Sequence, residues 1–182
     1  MTIDDSDVMV TDIIKIENSL TEMDELYKEN FSHHIGLNID IFPLDGVNLE
    51  DTRKVKRAIT LSKIHCYRFL SLKQRSGAKK IAAMLSKIVL AGIKRTTLPR
   101  RITRMINSDV NATHYANIYG AWGLKEIVDK KIFLPSKLYR FEDVELWGVH
   151  DADSYLRQLY GDYMKLPPEE KRHLHVIGCR WK

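Results

Sequence analysis
The chain has 182 residues, 44% of them apolar and 29% charged, which is enough for one domain with its own core and excludes a largely disordered protein. Its two cysteines, Cys66 and Cys179, are too few for a disulfide framework or a zinc cluster, and its longest apolar stretch, 81–93, is interrupted by Lys87 and too short to span a bilayer. The net charge of +5 hides a division: residues 52–108 hold 16 of the 29 Lys and Arg and no Asp or Glu, so the remainder carries 13 basic against 24 acidic side chains.

The first residues, MTIDDSDVM, are acidic and lack the apolar core of a secretory signal, so a cytoplasmic chain, at most peripheral on the inner face of a membrane, is expected. VMVTDIIKI at 8–16 mixes β-branched and apolar residues and predicts a strand ended by Glu17, Asn18 and Ser19. SLTEMDELYKEN at 19–30 fits either a short helix capped by Ser19 or Thr21, or a loop. His33 and His34 are adjacent on an extended segment, so they point to opposite sides and do not form a paired metal grip.

In IGLNIDIFPLDG at 35–46, Ile35, Leu37, Ile39 and Ile41 alternate with Gly36, Asn38, Asp40 and Phe42, the period of a strand with one face in a core, and Pro43 stops it. Asn38 and Asp40 share the less apolar face, and Asp45 follows just past the end.

From Leu49 to Leu72 the pattern turns helical; after QRSGA a second helix is expected over 79–95, and Pro99 opens a third through Ile106. These helices are apolar on one side and basic on the other. With no acidic residue for 57 positions they cannot make the usual mixed-sign surface pairs, so their field must attract an anion or an acidic partner. Three readings compete: a nucleic-acid surface, an anionic membrane, or the acidic remainder of the chain with a phosphate-bearing substrate. Only Tyr67 and Phe69 are interleaved for stacking, which argues against nucleic acid. The helix at 79–95, with Leu, Ile and Met beside Lys, has the ingredients for peripheral contact with anionic lipid.

DVNATHYANIYGAWGLKE, from Asp109, reads as a loop and turn; Gly120 and Gly123 are too few for a phosphate-binding glycine motif. One or two strands are expected over 132–149. Asp151 or Asp153 can then cap a helix through Leu159 that Gly161 ends, and Pro167 and Pro168 start a further turn, placing Arg172 and His175 on one face if it continues.

Two stretches, IGLNIDIFPLDGV and FEDVELWGVHDADSYLRQLYGDYMKLPPEEKRHLH, resemble the middle and end of the LicD family of phosphocholine transferases, with further likeness in KIENSLT at 15–21 and YGAWGLKE at 119–126. The resemblance implies one α+β domain over 1–182 with a nucleotidyltransferase-like mixed sheet, several helices and a basic helical insertion at about 50–107. It implies transfer of phosphocholine, or a related phospho-alcohol, from a CDP-linked donor such as CDP-choline to a glycan or lipid-linked glycan of the cell surface: lipopolysaccharide, teichoic acid or capsule. Mg2+ or Mn2+ would assist. On this pattern Asp40 is a catalytic residue and metal ligand and Asp45 a second acidic site residue or a structural turn residue, while Lys15, Asn38, Tyr160, Asp162, Arg172 and His175 are candidate substrate-binding positions. The family also carries, upstream of this strand, a glycine-rich helix start and paired aspartates. Asp5 and Asp7 have the mutual spacing but no glycine motif before them, so the chain is expected to be the later part of such an enzyme. The competing expectation is a non-catalytic remnant or a membrane- or glycan-binding module that works through the basic helices.

Overall fold
A computed structural model describes residues 13–25, 36–69, 72, 76–106, 108–169, 172 and 176–182. Contacts divide these residues into two units. The first takes the described residues up to Pro43, Thr60–Arg104 and those from Pro168; the second takes Leu44–Ile59 and Met105–Pro167.

In the first unit, strand β1 (Ile14–Glu17) turns at residues 18–20 into β2 (Thr21–Glu25), and β3 (Asn38–Ile41) returns antiparallel to β1. The register sets Ile14 opposite Ile41, Lys15 opposite Asp40, Ile16 opposite Ile39 and Glu17 opposite Asn38. Directly opposed residues share a face, so the ribbon has one face of four isoleucines and one of four polar residues. The turn is held by Asn18 N–H to Leu37 O (2.8 Å) and Leu37 N–H to the Thr21 hydroxyl (2.8 Å). Residues 36 and 18 lie so close that a Cβ on Gly36 would overlap the Asn18 carbonyl.

Two expectations change here. The alternation in 35–46 marks a strand, but only Asn38–Ile41 forms it, and its apolar face is not in a core: Ile14, Ile16, Ile39 and Ile41 are 42–69% exposed. A two-stranded ribbon can satisfy its backbone without covering either face. Residues 19–25 also depart from the helix-or-loop alternatives, because Thr21–Glu25 is a strand paired with β9 (Val176–Trp181), while 26–30 lie outside the described residues. Thr21 and Met23 are buried by that pairing, and Arg180 Nη2 meets Glu22 Oε2 at 2.6 Å. The partner strand lies some 150 residues away, so no local pattern could announce it.

Helix α1 (Thr52–Phe69) begins in the second unit and ends in the first, where α2 (Gly77–Val89) and α3 (Thr97–Ile106) follow. All three overlap the predicted segments, but α2 stops at Val89, six residues short of the expected end at Arg95, and α3 starts at Thr97, two residues before Pro99. Pro99 stands in the first turn of α3, where its missing N–H costs nothing, and Leu98, Pro99 and Ile102 are its buried side. Helix α2 buries only Ala83 and Ser86, with Leu90 just past its end, and Gly92 leaves it at φ 78°. Arg68 Nη1 donates to the carbonyl of Ile93 (2.8 Å), tying the end of α1 to the chain after α2.

The second unit is built on a three-stranded antiparallel sheet, β4 (Asp45–Val47), β5 (His114–Ala116) and β6 (Ile127–Asp129), with β5 central. A short 3-10 turn, Gly123–Glu126, leads into β6, and α4 (Lys130–Phe133) follows, its first turn capped by Asp129 on the Lys131 N–H (2.9 Å). The expected strands over 132–149 are the hairpin β7 (Lys137–Phe141) and β8 (Val144–Gly148). Helix α5 (Ala152–Tyr160) is capped by Asp151, whose carboxylate accepts from the Ser154 N–H (3.0 Å) and hydroxyl (2.6 Å), and Gly161 at φ 73° ends it. Val47, Val55, Ala58, Ile59, Ala116, Ile118, Val128 and Leu159 fill this unit's core.

The protein is therefore a mixed helix-and-strand chain of the α+β kind. Among the described residues every pairing is antiparallel and the strands fall into four small sheets, not the single mixed sheet expected. Among the described pairs only β7 and β8 are joined by a tight turn; β4–β5 and β2–β9 pair antiparallel across long stretches of chain. Among the described residues no helix is long and apolar enough to cross a membrane.

Candidate functional site
The polar face of the β1–β3 ribbon gathers three of the expected site residues. Lys15 Nζ lies 2.9 Å from Asp40 Oδ1 and donates to Asn38 Oδ1 at 3.0 Å, while the Asn38 amide donates to the Gly36 carbonyl (3.0 Å) and so is itself fixed. The side chains of Lys15 and Asp40 are 25% and 38% exposed. An ammonium has three protons, and two are committed here, which leaves one donor on an anchored, partly exposed side chain. Such a group suits a phosphoryl oxygen: a held charge loses little freedom on binding.

The same geometry bears on the expected metal. Mg2+ and Mn2+ take several oxygen ligands, yet Asp40 supplies one carboxylate and already has a cation against it. Among the described residues no group of three His, Cys, Asp or Glu side chains is placed to hold a metal ion. These residues alone do not fit a divalent ion.

Asp45 belongs to the second unit, where it opens β4 opposite Ala116. The next residue explains much of the motif's end. Gly46 N–H donates to the Ser108 hydroxyl (2.7 Å), its carbonyl accepts from Asp109 N–H (3.0 Å), and a Cβ there would overlap the Asp109 carbonyl. The glycines near both ends of IGLNIDIFPLDG thus serve close backbone approach.

The tail motif is largely structural as well. The Tyr160 ring meets Trp122 edge to face at 5.0 Å, and Asp162 is exposed in the turn after Gly161, its carbonyl accepting from Lys165 N–H (3.1 Å). Tyr163 donates its hydroxyl to Asp153 Oδ1 (2.9 Å), and Arg157 Nε donates to the other oxygen (2.7 Å). Arg172 is exposed and lies 3.9 Å from Glu169, and residues 170, 171 and 173–175, on which its expected placement beside His175 depends, lie outside the described residues. His175 lies outside the described residues, as do His33, His34, Asp5 and Asp7.

Hydrogen bonds from Arg157 and Tyr163 hold the Asp153 carboxyl below the usual range, and those from Ser154 do the same for Asp151. A depressed carboxyl stabilises the fold above its unfolded value, and that contribution disappears as pH falls through the folded one. The melting temperature of the native chain should exceed that of Asp153→Asn near neutrality, and the gap should close below about pH 4. A gap that persists in acid would mean the bond owes nothing to ionisation.

YGAWGLKE ends on a buried acid, Glu126. Glu126 Oε1 accepts the Trp122 N–H (2.7 Å), and its carboxylate occupies the space where Gly120 would carry a Cβ. Gly120→Ala should cost about 2–3 kcal/mol, read as a lower urea midpoint at unchanged slope. The glycine pair did not point to this residue; a lone Glu beside a Gly-rich turn is the signal that could have.

In the second unit Leu44, Tyr115, Phe133, Leu134, Ser136, Trp147, Gly148 and Val149 line an open cavity of about 490 Å³, within the size range of small-molecule pockets. Phe133 stands edge to face between Tyr115 (5.5 Å) and Tyr155 (5.4 Å), and Tyr139 fixes the far wall by donating its hydroxyl to the Val149 carbonyl (2.9 Å). No sequence pattern had joined these residues.

Fold and polar ribbon together define an α+β protein with an ammonium anchored between Asp40 and Asn38 on the polar face of a two-stranded ribbon. In sequence the chain is 30% identical, over 145 residues, to the lipopolysaccharide cholinephosphotransferase LicD of Haemophilus influenzae, with 76% of this chain and 54% of that protein covered. The chain is thus similar to a LicD protein, in keeping with the motif resemblance, and spans about half the length of this curated relative. No protein-family model and no solved structure matches the chain.

Proposed function
We propose that the chain contributes to a LicD-type transfer of phosphocholine, or a closely related phospho-alcohol, from a CDP-linked donor to a hydroxyl of a cell-surface glycan. The supporting observation is the Lys15–Asp40–Asn38 cluster on the strand that carries the family motif, combined with the similarity to LicD. In the reaction a hydroxyl oxygen of the acceptor forms a bond to the phosphorus that bears choline. The bond from that phosphorus to the bridging oxygen breaks, CMP leaves with the electron pair, and the hydroxyl proton is released. Charge accumulates on the phosphoryl and leaving oxygens, and a fixed ammonium stabilises it more than a mobile one does.

In this reading Lys15 contacts the phosphate, while Asp40 and Asn38 are positioning residues. That differs from the metal-ligand role that resemblance assigns to Asp40, and the difference follows from the ion pair. The donor and acceptor would meet on the cytoplasmic side. The test is release of CMP from CDP-choline by the intact chain with a cell-surface glycan as acceptor, followed by mass analysis of the glycan for added phosphocholine. CMP release that matches the enzyme-free background with CDP-choline and with other CDP-alcohols sinks the proposal.

A further inference from the structure
Helix α2 is packed on its small-residue side and not on its large apolar one. Its buried positions are small, Ala83 and Ser86, with Leu90 beyond the last turn, whereas Ile81, Met84, Leu85, Ile88 and Val89 are 47–69% exposed. Spacings of three, four, seven and eight put these five on one continuous stripe. Lys80 and Lys87, seven apart, run along one border of the stripe, and Lys94 and Arg95 follow the helix. Thr60–Arg104, the stretch of the first unit that includes α2, has twelve Lys and Arg and no acidic residue.

We infer that α2 is a membrane-docking helix that lays its Ile81–Met84–Leu85–Ile88–Val89 stripe into the headgroup–acyl boundary of an anionic bilayer. A helix with exposed large apolar residues on one side and lysines beside them has the composition of an interfacial anchor, and 13 residues give a contact about 20 Å long. The lysine stems can run alongside the apolar residues with their ammonium groups in the anionic headgroup layer. Nucleic acid would satisfy the lysines but leave the stripe in water. A second copy would cover the stripe but bring like charges together along its border. An anionic lipid surface answers both features. Because Ala83, Ser86 and Leu90 already seat the helix, docking does not have to fold it first. The inference does not depend on the transfer reading.

Flotation of the full chain with vesicles tests it. Binding is expected to phosphatidylglycerol–phosphatidylcholine vesicles and not to phosphatidylcholine alone, weakening as salt is raised. Leu85→Asp with Ile88→Asp should abolish it, and Lys80→Gln and Lys87→Gln should each weaken it about five-fold. All these side chains are exposed, so circular dichroism and melting temperature should not change; a second stripe variant, Ile81→Ser with Val89→Ser, guards against a local loss of helix. No binding, or equal binding to both vesicle types, overturns the inference. So does concentration-dependent self-association that the stripe substitutions remove, since the face would then belong to a second copy.

Discussion

Replacing Lys15 with methionine is expected to lower CMP release from CDP-choline by about a hundred-fold or more, mostly in kcat, the scale seen when one fixed donor to a developing negative charge is removed. Lys15→Arg should recover part of it, because a guanidinium keeps the charge but not the placement of its donors. Asp40→Asn should also reduce turnover, since the lysine would lose its ionic anchor 2.9 Å away and keep only Asn38. Stability should hardly move: the pair is partly exposed, and such pairs contribute about 1 kcal/mol or less, which means about 4 °C at most in melting temperature. The two roles open to Asp40 separate in the same experiment. A positioning role lowers turnover without altering how much Mg2+ gives half-maximal rate, whereas a metal-ligand role raises that concentration in Asp40→Asn and leaves it unchanged in Lys15→Met. Full activity in both variants would remove the ribbon from the site.

Gly46→Ala is expected to be the most destabilising small substitution in the motif, costing about 3 kcal/mol or more and lowering the melting temperature by about 10 °C. The added Cβ would meet the Asp109 carbonyl, which is backbone and which hydrogen bonds on both sides of Gly46 keep from withdrawing. Gly36→Ala should act in the same direction through the Asn18 carbonyl. Gly178→Ala is the control, because open space surrounds that position and an added methyl should change stability by a few tenths of a kcal/mol. Equal melting temperatures for all three variants would mean that close approach does not explain the motif glycines.

These contrasts show what a motif resemblance can and cannot assign. IGLNIDIFPLDG carries likeness to a family of phosphocholine transferases, yet two of its residues, Gly36 and Gly46, are accounted for by backbone packing and only Asn38 and Asp40 join the polar cluster. Tyr160, Gly161 and Tyr163 divide similarly: a ring contact, a helix stop, and a hydrogen bond that ties the turn after α5 to Asp153 in its first turn. Likeness by itself does not separate residues that build a site from residues that touch a substrate.

Local signals determined the helices, the hairpin and the caps. Three helical segments, Pro99 in the first turn of α3, the Asp151 cap and the Gly161 stop were legible because each depends on side chains within a turn or two of one another. The charge division of the chain was equally legible, being a property of composition. Tertiary structure decided what depends on distant partners. It made Thr21–Glu25 a strand by supplying β9, left the isoleucine face of the ribbon exposed where alternation had predicted a core, and brought Lys15 to Asp40 across 25 residues of chain. It also chose the face on which α2 is seated, because periodicity shows that a helix has an apolar stripe but not whether that stripe meets the protein or the solvent.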